Sequence, residues 1–394
     1  MRAQAEQFET VVVGGGQAGL AVGYHLARHR RPFTILDASP RIGDAWRNRW
    51  DGLRLFTAAR YDGLPGMPFP GPRNALPTKD EVAGYLETYA VRMSLPVQSG
   101  VRITGIWPAE QGAGFRIAAG GRGFQAANVV VATGAYSQPR IPGFSADLDP
   151  AILQLHSSEY RNPGQLRPGA VLVVGASNSG AEIAVGVARD HPTILSGPDK
   201  GKMPVRPESR LARVIDPPFW FFINRIATLA TPIGRKALPV VRDHGGPLER
   251  TWPSDLEAAG VERVFTRTVA ARDGRPALED GRFLEVRNVI WCTGFQPNYN
   301  WLHLPVFGPD GWPLQVRGVV PSAPGLFFVG LPFLHSAASA LLGGVGRDAE
   351  HVVERMRPRW QAENAGRTVS PALGPDPSRT RRPSRPPART DPAS

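Results

Sequence analysis

Two glycine-rich turns are the features of this sequence with the clearest chemical potential. The first, Gly14–Gly19, follows the β-branched run Phe8–Val13 and opens a helical pattern that continues to about Arg30. In a G-x-G-x-x-G turn, the first glycine permits the sharp turn, the second lets the backbone approach a pyrophosphate, and the third lets helix and strand pack closely. Unpaired N–H groups at the helix N-terminus then stabilise the phosphates. The pattern predicts a dinucleotide site formed by Gly14, Gly16, Gln17, Ala18 and Gly19.

An acidic residue completes this first site. Asp37 ends the predicted strand Phe33–Asp37 and lies 18 residues after Gly19. At that position of a βαβ unit, a carboxylate accepts hydrogen bonds from the ribose hydroxyls of a bound dinucleotide. We therefore assign the first turn, together with Asp37, to FAD.

The second turn follows the predicted strand Ala170–Val174 and opens a helix that reaches about Arg189. Serine replaces the middle glycine of this turn, but it is small enough to keep the close approach to a phosphate. The next predicted strand, Thr193–Ser196, ends without an acid. This second unit predicts a site for a nicotinamide cofactor at Gly175, Ser177, Asn178, Ser179 and Gly180.

Basic residues after that strand bear on the choice of nicotinamide cofactor. Lys200 and Lys202 follow Ser196 closely. An acid there would repel a 2′-phosphate and bases would attract it, so the sequence favours NADPH over NADH. A solvated loop is the alternative interpretation of these lysines. Asn178, at the start of the second helix, is the candidate for a catalytic polar role, with a helix N-cap as the alternative.

The remaining periodic segments define the organisation of the chain. They are a helix at Lys79–Met93, strands at Val101–Trp107, Gly114–Ile117 and Phe124–Val131, then strands at Phe283–Trp291 and Gly325–Val329, and a helix at Ala337–Arg355. The simplest arrangement is an α/β fold of two nested Rossmann-like domains. An NADPH domain at 141–289 is inserted into an FAD domain made of 1–140 and 290–356. Residues 361–394 are rich in Pro and Arg and lack apolar periodicity, which predicts disorder.

Composition excludes several other classes of protein. The single cysteine among 394 residues, Cys292, cannot form an internal disulfide or a redox-active pair, which indicates a reducing compartment. The first residues contain no apolar signal core, so a cytoplasmic location is expected. The net charge of +12 is scattered, and no nucleic-acid partner is predicted. The apolar stretch Leu211–Val241 is too interrupted by charges to span a bilayer. No metal site is predicted, and the oligomeric state stays open.

Several longer motifs make the sequence resemble the flavin-containing monooxygenase family over about residues 8–356, and within it the bacterial CzcO-type flavoproteins and the plant YUCCA-type enzymes. The motifs are Gly43–Trp46, Leu64–Pro70, Pro77–Asp80, Val131–Gly134, Val173–Gly180, Trp291–Phe295, Phe328–Gly330 and Gly343–Asp348. The resemblance implies that Trp46 lies near the flavin and that Val101 contacts the FAD adenine through its backbone. It implies that two crossover strands join the lobes and that a C-terminal segment closes over the isoalloxazine ring. The residues concerned are Thr133 and Gly134, Thr293 and Gly294 on the NADPH side, and Gly330 and Leu341.

The family fingerprint F-x-G-x-x-x-H-x-x-x-(W or Y) is only half present. His156 and Tyr160 match it, whereas Pro150 and Ile152 occupy the Phe and Gly positions. A hinge strand without chemistry is the alternative interpretation of this segment.

Three functions stay open at this point. The resemblance implies an NADPH-dependent monooxygenase that inserts one oxygen atom from O₂ into a small organic substrate through a C4a-peroxyflavin. The incomplete fingerprint motivates the alternative of an NADPH oxidase or reductase without oxygenation. A non-enzymatic flavoprotein that senses redox state or serves a transporter is the third, since a fold does not fix a function.

Overall fold

A computed structural model describes residues 5–110, 113–243 and 245–356 of the chain. The predicted disorder of 361–394 therefore lies outside the described residues. Within these three ranges, no helix is both long enough and apolar enough to cross a membrane.

The described elements alternate between strands and helices along most of the chain. In chain order the strands are β1 (Glu6–Val13), β2 (Phe33–Leu36), β3 (Val97–Gln98), β4 (Gly105–Pro108), β5 (Phe115–Ala119), β6 (Arg122–Val131), β7 (Gln138–Pro139), β8 (Leu153–His156), β9 (Val171–Val174), β10 (Thr193–Ser196), β11 (Glu262–Val264), β12 (Thr268–Arg272), β13 (Arg275–Leu278), β14 (Asn288–Trp291), β15 (Phe295–Gln296) and β16 (Leu326–Phe328). The α-helices are α1 (Gln17–Arg28), α2 (Asp44–Arg47), α3 (Lys79–Arg92), α4 (Asn178–Val187), α5 (Ala212–Phe221), α6 (Pro232–Asp243), α7 (Pro253–Ala258) and α8 (Val345–Arg355). Short 3₁₀ turns occupy Ala59–Tyr61, Gly143–Asp147 and Pro163–Gln165, and a π-helical turn at Phe222–Ile226 follows α5.

The first sheet is seven-stranded and draws on both ends of the described chain. Its strand order is β3-β2-β1-β6-β5-β4. The seventh strand, β16, lies outside this path and pairs with the last residues of β6, Val129–Val131. Strand β1 runs parallel to β2 and β6, and β16 runs parallel to β6, whereas β5 is antiparallel to both β4 and β6. Helices α1 and α8 pack together on this sheet, and their apolar faces meet in one core that includes Leu20 and Val352.

The second sheet is five-stranded, wholly parallel and formed by a continuous stretch of chain. Its order is β11-β10-β9-β14-β8. Strands β9 and β14 are buried along their whole length, which explains why all their residues except Asn288 are apolar, because a parallel sheet is covered on both faces. The second sheet is thus inserted between β6 and β16 of the first. The predicted α/β class with two nested Rossmann-like domains is confirmed.

A short antiparallel ribbon lies where the chain leaves the first sheet and returns to it. Strand β7 pairs with β15, with Phe295 opposite Pro139 and Gln296 opposite Gln138. The ribbon holds together two chain segments that are far apart in sequence but adjacent in the fold. The domain boundaries at 140, 141, 289, 290 and 356 stay a prediction.

Some element boundaries differ from those expected. The strand expected at Val101–Trp107 is found at Gly105–Pro108, and the strand expected from Phe283 begins only at Asn288. The last helix begins at Val345 and not near Ala337. The residues before Val345 form turns instead. They pass close to the backbone of Tyr61, because a Cβ atom at Gly343 would lie 1.6 Å from the Tyr61 carbonyl oxygen.

Candidate functional site: two dinucleotide turns

The first glycine turn has a backbone that only glycine accommodates at two positions. Gly14 has φ +106°, and its N–H donates to the carbonyl of Leu36 at 2.8 Å. A Cβ atom at Gly14 would lie 2.7 Å from the carbonyl oxygen of Ala132. A Cβ atom at Gly19 would lie 1.9 Å from the carbonyl oxygen of Gly14, so α1 is able to approach β1 only because this residue is glycine.

The middle glycine behaves differently, because it faces open space. A Cβ atom at Gly16 would meet nothing within 4 Å. Helix α1 begins at the next residue, Gln17, with no side-chain cap and no acid in its first turn. Its first N–H groups therefore remain available to an anion, and the helix dipole favours negative charge there. An open cradle beside an uncapped helix N-terminus fits the pyrophosphate of a dinucleotide.

Asp37 lies directly against this turn. Its Oδ2 accepts a hydrogen bond from the N–H of Gly15, and its Oδ1 accepts one from Ser39 at 2.6 Å. The N–H of Val101 donates to the carbonyl of Asp37 at 2.8 Å. The structure thus brings Asp37 and Val101, both predicted from the sequence, to one edge of the turn.

Gln17 connects the start of α1 to two further segments of the predicted FAD site. Its Oε1 accepts a hydrogen bond from Trp46 Nε1 at 3.3 Å, and its Nε2 donates to the carbonyl of Ala340 at 3.2 Å. A Cβ atom at Gly330, which has φ +82°, would lie 2.6 Å from Cβ of Ala18. Leu341 lies in the same C-terminal segment, in a turn closed by its N–H on Ala338.

The second turn repeats the construction of the first. Gly175 has φ +108°, its N–H donates to Ser196, and a Cβ atom there would lie 2.3 Å from the carbonyl oxygen of Cys292. A Cβ atom at Gly180 would lie 1.7 Å from the carbonyl oxygen of Gly175. Ser177 takes the place of Gly16, and Ser179 lies in the first turn of α4. Helix α4 also lacks an acid in its first turn.

Strand register corrects which residue of the second unit corresponds to Asp37. Val13 pairs with Leu36 in the first unit, and Val174 pairs with Ser196 in the second. The counterpart of Asp37 is therefore Gly197 and not Ser196. Ser196 is fully buried, and its Oγ donates to the carbonyl of Thr266 at 3.0 Å. The absence of an acid at this position stands, because Gly197 has no side chain.

The basic residues after β10 differ in how they are held. The ammonium of Lys202 lies 4.1 Å from the ring centre of Trp252. Arg206 contacts the same ring and forms a 2.9 Å ion pair with Asp255. Lys200 is half-buried and has no side-chain partner among the residues that the structure describes. These partners are distant in sequence, so the pattern of lysines alone did not reveal them.

Asn178 is the first residue of α4, and Ser177 holds the N-cap position without a side-chain cap bond. The amide of Asn178 bridges to loop 245–249. Its Nδ2 donates to the carbonyl of Pro247 at 3.0 Å, and its Oδ1 accepts from the N–H of Glu249 at 2.9 Å. Ser177 Oγ donates to Gly246 at 3.0 Å. Ser177 and Asn178 therefore hold loop 245–249 beside the N-terminus of α4.

Two carboxylates, Glu182 of α4 and Glu249 of this loop, have raised pKa values. Burial raises the pKa of Glu182 to about 7, although Arg250, 3.3 Å away, opposes the shift. Burial and the nearby charge of Glu182 raise the pKa of Glu249 to about 8. A carboxyl whose pKa is raised by folding favours the folded state when protonated. Ionisation of this pair therefore weakens the fold as the pH rises from about 4.5 toward 8.

We expect Glu249→Gln to remove much of this pH dependence. At pH 5 the variant and the wild type should unfold at similar urea concentrations. At pH 9 the variant should be more stable by about 1–2 kcal/mol, after allowance for solvent screening of a half-buried group. Urea titrations at both pH values check this. Glu257→Gln, at an exposed position of α7, is the control and should follow the wild type. Identical pH profiles for Glu249→Gln and wild type would contradict the prediction.

Two crossover segments connect the sheets: the first passes through Thr133 and Gly134 after β6, and the second through Thr293 and Gly294 after β14. They are joined to each other and to His156. The hydroxyl of Thr293 donates to the carbonyl of Arg140, and the N–H of Arg140 donates to Gly294 at 3.0 Å. Nε2 of His156 lies 3.0 Å from the carbonyl oxygen of Gly294, and its Nδ1 lies 2.9 Å from Ser158 Oγ. Burial lowers the pKa of His156, which favours a neutral ring that donates from Nε2. These bonds hold the His156 ring against the backbone of Gly294.

The backbone of the first crossover segment resembles that of the second. Ala132 donates its N–H to the carbonyl of Val13 at 2.8 Å, which leads the chain from β6 past the first turn. Thr133 is exposed, and Gly134 follows with φ +69°, as Gly294 does with φ +81°. The two Thr-Gly pairs therefore occupy equivalent places beside the two glycine turns.

Comparison with known proteins agrees with this geometry. Residues 11–223 match the family described as pyridine nucleotide-disulphide oxidoreductase. An uncharacterized CzcO-like oxidoreductase of Geobacillus kaustophilus is 38% identical over 346 residues, which cover 88% of this chain and 97% of the relative. The chain therefore belongs to the pyridine nucleotide-disulphide oxidoreductase family, and it is an oxidoreductase that depends on FAD and a nicotinamide dinucleotide.

More specific relatives lie among the flavin monooxygenases. Indole-3-pyruvate monooxygenase YUCCA8 of Oryza sativa subsp. indica is 33% identical, with 89% of this chain and 91% of the relative covered. The structure of a flavin-containing monooxygenase from Stenotrophomonas maltophilia is 28% identical, with a TM-score of 0.70 and coverage of 89% and 98%. The predicted resemblance to flavin monooxygenases and to CzcO-type flavoproteins is confirmed.

Proposed function

We propose that this protein is an NADPH-dependent flavin monooxygenase that transfers one oxygen atom from O₂ to a small organic substrate. The observation that carries the proposal concerns Cys292. It is the only cysteine, it lies in close contact with Gly175 and Gly180 beneath the second turn, and burial raises its pKa. A single thiol, with no second cysteine in the chain, cannot relay electrons as a dithiol does. Electrons that enter at a flavin must therefore leave to an acceptor from outside the chain.

The proposed FAD site is the first turn with the segments that gather around it. The N–H groups at the start of α1 would hold the pyrophosphate in the cradle at Gly16. Asp37 would hold the ribose, and Val101 would contact the adenine. Trp46 would lie near the flavin, supported by its bond to Gln17. Gly330 and Leu341 would belong to the segment that covers the ring. When bound, FAD supplies two-electron chemistry between a nicotinamide and O₂.

The proposed NADPH site is the second turn with the bases that follow β10. The N–H groups at the start of α4 would hold the pyrophosphate, and Lys200 would contact the 2′-phosphate. Asn178 and Ser177 would position loop 245–249 beside the cofactor, as their bonds to that loop support. We propose domain boundaries at 1–140 with 290–356 and at 141–289. The order of the two sheets along the chain supports them, although β14 (Asn288–Trp291) of the second sheet spans the boundary between 289 and 290.

Water exclusion is the main task left to the protein in this chemistry. The C-terminal segment supports such a task, because Leu342 and Leu334 are buried and Gly343 packs on the Tyr61 backbone. A cytoplasmic location belongs to the same proposal, since both cofactors are supplied there. The names of the flavin monooxygenase relatives support the oxygenation step.

Rapid mixing tests the proposal without knowledge of the substrate. Protein reduced by NADPH is mixed with O₂ in the absence of substrate, and the flavin absorbance is followed. We expect two resolved phases, with a spectral species distinct from the reduced and oxidised forms that persists for seconds. Direct return of the oxidised spectrum in one phase would contradict oxygenation.

An NADPH oxidase or reductase is the second candidate. It is favoured by the half-complete fingerprint, in which both ring nitrogens of His156 are already hydrogen-bonded, to Ser158 Oγ and to the carbonyl of Gly294. Indole-3-pyruvate, cyclohexanone and methyl phenyl sulfide serve as probe substrates with ¹⁸O₂. One labelled oxygen atom in a product supports the monooxygenase. Equal yields of hydrogen peroxide and oxidised NADPH with every probe support the oxidase.

A further inference from the structure

Helix α5 and the π-helical turn after it turn an apolar face away from the protein. Val214 is 70% exposed and Phe221 is 59% exposed. Monomeric proteins seldom expose a contiguous apolar patch of this kind unless it has a partner. We call it the apolar face; its large exposed side chains are Leu211, Val214, Ile215, Phe219, Phe221, Phe222 and Ile226.

The opposite side of the same helix is the one that packs on the protein. Four buried or half-buried residues recur on it every four positions, namely Ala212, Asp216, Trp220 and Asn224. This spacing places them on one side of a helix. The usual arrangement is therefore inverted, because the side with the acid and the amide faces inward and the aliphatic and aromatic side faces outward.

Specific contacts fix this orientation. Asp216 lies 3.4 Å from Arg60 in an ion pair, and the ring of Trp220 stacks on Tyr61 with centres 4.9 Å apart. Arg347 donates to the carbonyl of Asn224 at 2.6 Å. The helix cannot turn its apolar face inward without loss of all three contacts.

The exposed charged side chains between 210 and 239, the stretch that carries the apolar face, have one sign. Five basic residues between 210 and 239 are exposed, namely Arg210, Arg213, Arg225, Arg235 and Lys236. The only acid in this stretch is Asp216, which is on the inner side and paired with Arg60. Outside that pair, no carboxylate between 210 and 239 offsets the cations.

We propose that the apolar face docks the protein on the surface of an anionic lipid bilayer, with α5 in the plane of the interface. Exposed aromatic and aliphatic side chains flanked by cations have the chemistry that such a surface binds. A second copy of this chain fits less well, because two cationic rims would be brought together. Docking on the surface needs no membrane-spanning helix, and the described residues contain none.

Vesicle sedimentation with the full-length holoprotein tests this. The protein should sediment with vesicles of phosphatidylcholine and phosphatidylglycerol at least ten times more than with phosphatidylcholine alone. Phe219→Ser with Phe221→Ser should reduce the bound fraction at least ten-fold, and Arg213→Gln with Lys236→Gln should reduce it on anionic vesicles. Flavin content and melting temperature should stay as in the wild type, because these side chains are exposed.

Val91→Ser with Val316→Ser is the matched control. Both valines are exposed apolar residues, at 76% and 66%, but they lie on other surfaces. The Arg-rich residues after 356 are unchanged in every variant, so they cannot account for a difference between them. Absence of binding to anionic vesicles, or an equal loss in the control, overturns the proposal. So does a dimer in sedimentation velocity that the phenylalanine variant dissociates, without any binding to vesicles.

Discussion

Replacing Gly16 with alanine is expected to lower the affinity for FAD at least ten-fold while the apoprotein keeps its fold. The structure leaves open space at this position, and the backbone of Gly16 is in an ordinary extended conformation. A methyl group therefore causes no clash within the protein, and the loss of an N-terminal glycine cap costs at most about 1 kcal/mol. The methyl group instead occupies the space that a pyrophosphate must approach. Flavin titration and urea unfolding of the apoprotein measure the two effects separately.

Two other glycines provide the controls. Gly19→Ala places a methyl group 1.9 Å from the carbonyl oxygen of Gly14, so both FAD binding and stability should fall, the latter by about 2–4 kcal/mol. Gly84→Ala in α3 meets nothing within 4 Å and should raise stability by about 0.5–1 kcal/mol without any effect on FAD. An unchanged affinity in Gly16→Ala would refute the assignment of this turn to FAD.

The second large effect concerns the choice between NADPH and NADH. Lys200→Ala is expected to raise the KM for NADPH about 10–100-fold while the KM for NADH changes little. The reason is that a charge-assisted contact with a 2′-phosphate contributes about 1.5–3 kcal/mol, and NADH has no such phosphate. Lys202→Ala should have a smaller effect, because Lys202 lies over Trp252. Steady-state kinetics with both cofactors measures these ratios.

Lys236→Ala is the matched control for this pair. Lys236 is an exposed lysine of α6, away from β10, and its loss should leave both KM values as in the wild type. The double variant Lys200→Ala with Lys202→Ala should show the largest shift in preference. If it changed the KM values for NADPH and NADH equally, the assignment of the 2′-phosphate site would be wrong.

The two dinucleotide units could be predicted from the sequence because their signals are local. Strand β10 occupies the predicted residues Thr193–Ser196, and α4 ends within two residues of its predicted end at Arg189. An apolar run, a glycine turn and a helical period lie within about thirty residues of one another, so neighbouring residues determine the structure. The insertion of the second sheet into the first was predicted from the order of the two units along the chain.

The partners of the second turn could not be predicted in the same way. Asn178 bonds to Pro247 and Glu249, about seventy residues later, and Lys202 lies over Trp252. Such contacts depend on how separate segments pack, which local periodicity does not encode. The equivalence of Asp37 and Gly197 likewise required the strand register, since the sequence suggested Ser196.

The ribbon of β7 and β15 has a consequence for the way in which the chain folds. Strand β16 must find β6 across roughly 190 residues, and closing so long a loop costs conformational entropy. Once β7 and β15 have paired, the path between β6 and β16 shortens to roughly 35 residues. The remaining closure is then cheaper by roughly 1.5 kcal/mol. We therefore expect the inner sheet to form first, the ribbon to close next, and β16 to dock last to complete the outer sheet.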